Sequence, residues 1–157
     1  MKTIKNLMIG AFILSTLLIL TSCSNDDNSN TNEVVIEANA LPETARNFIT
    51  THFPDATYRR IEKQNITDDD GSIYDVYLSN GFEIDFDING NWTDIDGGQT
   101  VIPTAIIPEP ITNYVTANYP ILFITTIEIE TTGYDVELSN GLDLVFNPQG
   151  EFVRIDN

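Results

Sequence analysis

Residues 74–81 read Tyr-Asp-Val-Tyr-Leu-Ser-Asn-Gly, and residues 134–141 read Tyr-Asp-Val-Glu-Leu-Ser-Asn-Gly, with Tyr77 changed to Glu137 as the one difference. Within each phrase, Tyr, Val and Leu alternate with Asp and Tyr or Glu, the period-two pattern of a strand with one buried face. Ser-Asn-Gly then supplies the residues that tolerate positive φ in a tight hairpin turn. A hairpin written twice predicts a fold written twice.

Working outward, the self-similarity covers most of the chain. Leu41-Pro42-Glu43 matches Ile107-Pro108-Glu109, and Phe48-Ile49 and Phe53-Pro54 match Tyr114-Val115 and Tyr119-Pro120, all at a spacing of 66. From Tyr74 onward the spacing is 60: Ile84 matches Leu144, Phe86 Phe146, Gly90 Gly150, Trp92 Phe152 and Ile95-Asp96 Ile155-Asp156. The second copy therefore lacks six residues, at Asp68-Asp69-Asp70-Gly71-Ser72 and its neighbour. A hairpin tip is where a sheet tolerates such a deletion.

Each copy opens on a short helix. Pro42 and Pro108 suit a first helical turn; Ala45, Phe48, Ile49 and His52, and likewise Ile111, Tyr114, Val115 and Asn118, recur at helical spacing; Pro54 and Pro120 stop it. Residues 58–66 and 123–130 are the first strands, the repeated phrase the second, residues 82–88 and 142–146 the third, and residues 92–96 and 152–156 the fourth. The fold class is thus α+β: two tandem α-β-β-β-β repeats, giving an antiparallel sheet of about eight strands with both helices on one face. Repeat 1 spans residues 41–97, a linker 98–106, and repeat 2 residues 107–157.

The N-terminus reads as an export address. Lys2 and Lys5 precede an apolar run over residues 7–20. At 1.5 Å per residue that run covers roughly 21 Å, short of a hydrocarbon core of about 30 Å, which marks a signal peptide over residues 1–22. Leu20-Thr21-Ser22-Cys23 resembles a bacterial lipobox, with Cys23 as the lipidated first residue of the mature protein. Cys23 is the single cysteine, so no internal disulfide forms. Residues 23–40 read as a polar tether holding the fold off the membrane. The resulting address is an outer-membrane lipoprotein, on the cell surface or the periplasmic face.

Charge excludes some partners. The chain carries 24 acidic and seven basic residues. Loss of Lys2 and Lys5 with the signal leaves a formal charge near −19. Nucleic acid and anionic membrane surfaces require basic patches, so neither is a partner; the membrane is met through the lipid alone. A basic protein or peptide fits. The expected contact surface is the open sheet face: Asp75, Tyr77, Glu83, Asp85, Asp135, Glu137 and Asp143.

No catalytic residue is assigned. His52, the single histidine, matches Asn118 in the second copy, and no Cys or His cluster is present to hold zinc. Calcium is the one cofactor considered, with Asp68, Asp69 and Asp70 as weak candidates. Asp87-x-Asn89-Gly90-Asn91 has some look of a ligand loop, but neither stretch has the alternating ligands and distal Glu of an EF-hand.

The Leu-Pro…Phe-Ile…Phe-Pro helix, the Tyr-Asp-Val-x-Leu-Ser-Asn-Gly strand and the Phe-Asp-x-x-Gly-x-Trp hairpin resemble the PepSY-like family of exported bacterial proteins, which is in turn likened to β-lactamase inhibitory protein. The resemblance runs from about Leu41 to Asn157. It implies the two-repeat α+β fold and brings no catalytic motif. The functional reading is a non-enzymatic lipid-anchored module that recognises a protein or peptide through its open acidic face, with inhibition of an envelope peptidase or hydrolase as one alternative. A passive structural or calcium-binding lipoprotein is the other. An inhibitor's surface usually centres on aromatic anchors rather than on many carboxylates, so this acidic face, with Tyr77 as its main aromatic, departs from that pattern.

Overall fold

The computed structural model describes residues 33–67 and 71–156. Residues 1–32, with the signal peptide, Cys23 and the first part of the tether, lie outside the described residues, as do Asp68, Asp69 and Asp70.

The described residues form an antiparallel sheet of nine strands, in which spatial order equals chain order. The strands are β1 (Glu33–Val35), β2 (Tyr58–Gln64), β3 (Tyr74–Leu78), β4 (Glu83–Phe86), β5 (Trp92–Asp96), β6 (Ile124–Glu130), β7 (Gly133–Leu138), β8 (Asp143–Phe146) and β9 (Phe152–Asp156). Helix α1 (Glu43–His52) precedes β2, and α2 (Glu109–Asn118) precedes β6. The ninth strand, β1, comes from the stretch read as tether. Val34, Val35 and Ile36 are the β-branched aliphatic residues in that stretch. They pair with β2, with Val35 opposite Glu62, and the Ile36 N–H donates to the Ile61 carbonyl at 2.9 Å.

Each of β3 to β8 sets an apolar residue on one and the same side of the sheet. Val76 lies opposite Ile84, Ile84 opposite Ile95, Ile95 opposite Ile127, Ile127 opposite Val136, and Val136 opposite Leu144. Opposite residues in an antiparallel pair share a face, so these six form one apolar row across the middle of the sheet, each at most 1% exposed. Both helices cover that face. Phe48 of α1 meets the edge of Phe86 at 5.9 Å and 81°, and Tyr114 of α2 meets Phe146 at 5.5 Å and 84°. Ala45 and Ile49, and Ile111 and Val115, are the buried helix positions. Each helix is under three full turns, so this burial and not intrinsic propensity holds it.

Helix entry differs slightly from expectation. Pro42 and Pro108 cap the helices from one residue outside, in extended conformation, and Pro110 occupies the first turn of α2. The β4–β5 turn closes against α1 at Gly90, whose φ is +83° and where a Cβ would stand 2.8 Å from the Ala45 nitrogen. Gly150 plays the same part under α2. Residues 98–106 are more than a linker: Ile102 is fully buried, and its N–H donates to the Ile124 carbonyl at 3.1 Å.

Candidate functional site

The face away from the helices carries two rows of polar side chains. In the first, Glu62, Asp75, Asp85, Asp94, Glu128 and Asp135 stand opposite one another in succession across β2 to β7. The row ends with Val145 on β8 and Arg154 on β9. In the second, Arg60, Tyr77, Glu83, Asp96, Thr126, Glu137, Asp143 and Asp156 succeed one another across β2 to β9. At about 4.8 Å per strand the six-carboxylate row spans roughly 24 Å, and the rows lie about 7 Å apart, two residues along each strand.

All seven residues expected on the open face lie in these rows: Asp75, Asp85 and Asp135 in the first, Tyr77, Glu83, Glu137 and Asp143 in the second. The rows add the carboxylates Glu62, Asp94, Asp96, Glu128 and Asp156. Asp94 and Asp96 alternate around Ile95 and carried a readable signal. Glu128 alternates with Ile127 and Ile129 in the same way, whereas Glu62 is followed by Lys63 and Gln64 and gave no such signal; in both β2 and β6 a bulge precedes the acid. The register shifts between Tyr58 and Arg60, and at the matching place between Ile124 and Thr126. Bulges re-aim the residues that follow.

Cations stand only at the flanks. Strands β3 to β8 contain no Lys, Arg or His. Among the described residues the two ion pairs are Arg60 with Glu62 on β2 and Arg154 with Asp156 on β9. The face is less solvated than a simple surface would be: Glu62 is 4% exposed and Asp75 8%. Gln64 Nε2 donates to Asp75 Oδ2 at 2.7 Å, and Arg60 caps Glu62. Burial pushes the Asp135 carboxyl above its ordinary range, and the negative charge of Glu130 adds to the effect. Burial likewise raises the Tyr77 hydroxyl, together with its hydrogen bond to Glu83 and the charges of Glu83, Glu62 and Asp75. Tyr77 is therefore a neutral donor set among carboxylates.

These acids are arranged as a strip. Among the described residues, no group of three or more His, Cys, Asp or Glu is arranged to hold a metal ion. The Asp87 loop uses its oxygens for the turn itself. Asp87 Oδ1 accepts the N–H groups of Asn89 and Asn91, both at 2.8 Å, and Oδ2 accepts Asn91 Nδ2 at 2.9 Å. Asn147 Oδ1 accepts the equivalent N–H groups of Gln149 and Glu151. A neutral side chain thus builds the same turn. Burial pulls the Asp87 carboxyl upward, but the hydrogen bonds from Asn91 and Asn89 outweigh it and hold the group below its ordinary range. His52 ends α1 with its ring 4.7 Å from that of Phe48, a packing contact.

A helix, four antiparallel strands, and the same again, with one helical and one acidic face, define an α+β class described by both sequence and solved structures. The sequence pattern of the family described as "Putative beta-lactamase-inhibitor-like, PepSY-like" matches residues 27–69 and 72–154, and the chain belongs to that PepSY-like family. A "putative periplasmic protein of unknown function" from Bacteroides vulgatus is similar at 33% identity over 80% of this chain and 99% of its own, with a TM-score of 0.74. A second from the same organism, assigned to the DUF2874 family, is 36% identical over 85% of this chain and 99% of its own, with a TM-score of 0.71. A "putative calcium-regulated periplasmic protein" from Bacteroides thetaiotaomicron is 35% identical over 80% of this chain and 98% of its own, with a TM-score of 0.73. Among curated proteins, none matches.

Proposed function

We propose that this protein is a non-enzymatic binding module of the cell envelope, anchored through lipid on Cys23, that recognises a basic protein segment on its acidic sheet face. The observation that carries the reading is the uninterrupted row of six carboxylates from Glu62 to Asp135, with cations confined to the flanking strands. A row of six carboxylates about 24 Å long offers a basic segment a matching line of charge. Tyr77, neutral and hydrogen-bonded to Glu83, is the one aromatic in the strip and a natural anchor for a Lys or Arg side chain. Charge complementarity of this kind speeds association and weakens with salt. The module itself reads as a tandem duplication, since the bulges as well as the motifs recur at spacings of 66 and 60.

The test is capture from envelope extract at low and high salt, beside a variant with Asp75, Glu83, Asp85, Asp135, Glu137 and Asp143 changed to Asn or Gln. A partner held by the native chain at low salt and lost by the variant supports the reading, and its identity separates an adaptor from an inhibitor. Equal capture by both proteins sinks it. A second reading, divalent-cation binding along the same carboxylates, is favoured by the calcium-regulated description of the Bacteroides thetaiotaomicron relative. Calorimetric titration with calcium, on the native chain and the same variant, decides it.

A further inference from the structure

The sheet ends on β9, which has β8 on one side and no further strand in the order among the described residues. The matching strand of the first copy, β5, shows what such an edge is built to do. Ile95 stands opposite Ile127 of β6, and two residues on, Gly97 donates its N–H to the Thr125 carbonyl at 2.8 Å. Hydrogen-bonded pairs alternate along an antiparallel ladder, so the Ile95 backbone groups also point at β6. By the 60-residue spacing, Ile155 holds the position of Ile95, and its N–H and C=O point off the sheet. Ile95 is fully buried, whereas Ile155 is 43% exposed and Val153 53%.

The other end of the sheet is protected differently. β1 is three residues long, Glu33 with the exposed Val34 and Val35; so short an edge offers little to pair with. β9 has five residues, and its apolar Ile155 stands between Arg154 and Asp156 in a side-chain pattern complementary to itself. In an antiparallel pairing of β9 with a second β9, centred on Ile155, Ile155 meets its own copy. Arg154 then meets Asp156 of the other chain, twice by symmetry. Arg154 and Asp156 are both about half exposed and pair within their own strand, free to be redistributed across such a joint.

We propose that β9 is a homodimer edge: two copies join their sheets through β9 by a two-fold axis at Ile155, with reciprocal Arg154–Asp156 pairs on the acidic side. A two-fold contact of this kind uses one patch on both subunits and closes on itself. Because residues opposed in an antiparallel pair share a face, the two acidic strips lie on the same side, and all the helices lie on the other. The proposal stands independently of what the acidic face binds.

The test is sedimentation equilibrium, at low salt and up to about millimolar concentration, of the chain from residue 24 onward, which keeps the compact unit Thr31–Asn157. The native chain is expected to dimerise. Arg154→Asp and Asp156→Arg each turn two attractive pairs into two repulsive ones and are expected to weaken the dimer by at least about ten-fold. The double swap Arg154→Asp/Asp156→Arg restores the complementarity and is expected to recover it. These are exposed positions, and circular dichroism checks that the three variants fold alike. A native chain that stays monomeric throughout overturns the proposal. So does a dimer indifferent to the single reversals, or one that the double swap leaves weakened.

Discussion

Asp85 sits third in the carboxylate row, between Asp75 and Asp94, and its replacement by Asn separates the cost of that row from its use. Opposed side chains in neighbouring strands are about 5 Å apart. Two unit charges at that distance repel by about 0.8 kcal/mol in water and by about 3 kcal/mol at the effective dielectric near 20 of a partly buried site. Asp85 is half-buried, and one neighbour, Asp75, is 92% buried, so the lower figure is a floor. Nearest neighbours lie within a Debye length of about 8 Å at physiological salt and escape most screening, whereas the next members of the row do not. Set against these two contacts is whatever Asp85 accepts in hydrogen bonds, which Asn retains in part. Asp85→Asn is therefore expected to stabilise the fold by about 1–2 kcal/mol at pH 7 and low salt, a rise in Tm of about 4–8 °C for a domain of this size. The gain should shrink as salt is added. Urea unfolding followed by circular dichroism, at low and high salt, reads both quantities. The same variant is expected to lose affinity for the cationic partner, so stability and binding move in opposite directions. A variant less stable than the native chain at both salt concentrations refutes the premise that these carboxylates repel in the folded state.

Other outcomes follow from the same geometry. Phe86→Ala and Phe146→Ala each empty a fully buried site beneath a helix aromatic and should each cost about 3–5 kcal/mol in urea unfolding; unequal effects would show that the two halves do not share packing. Gly90→Ala should cost at least about 1 kcal/mol more than Gly81→Ala. Both residues have positive φ, but only at Gly90 does a Cβ meet helix backbone, and thermal melts of the pair decide the matter. The pH dependence has two opposing parts. Asp135, raised in the folded state, binds more protons folded than unfolded, so its unfavourable contribution is present at neutral pH and is relieved as pH falls through its folded value. Asp87, lowered in the folded state, contributes stability above its unfolded value that is lost on further acidification. Asp135→Asn should thus raise stability at pH 7 and have little effect near pH 3. Asp87→Asn should do the opposite, lowering stability at pH 7 with little effect at strong acid, as stability curves against pH would record.

Much of this architecture could be read before any coordinates. The repeated phrase at Tyr74 and Tyr134, the alternation of residues 82–88, and the helical spacing of Ala45, Phe48 and Ile49 are local patterns. Each is governed by the backbone periods of 2 and 3.6 residues, so strands, helices and the faces of Asp75, Tyr77, Glu83 and Asp85 were accessible to sequence alone. What lay beyond it depends on partners distant in the chain. Val34 and Val35 look like part of a polar tail until the edge of β2 is there to receive them. Ile102 looks like linker until the space beside β6 buries it. Glu62 and Glu128 fall into line with Asp75, Asp94 and Asp135 only because two bulges reset the register of β2 and β6. Alternation tells which way a side chain points, but register tells which side chains it meets, and register is set by cross-strand hydrogen bonds and turns. The sequence by itself determined a twice-written helix-and-meander with an apolar and an acidic face; the tertiary structure alone decided that the acids stand shoulder to shoulder across six strands.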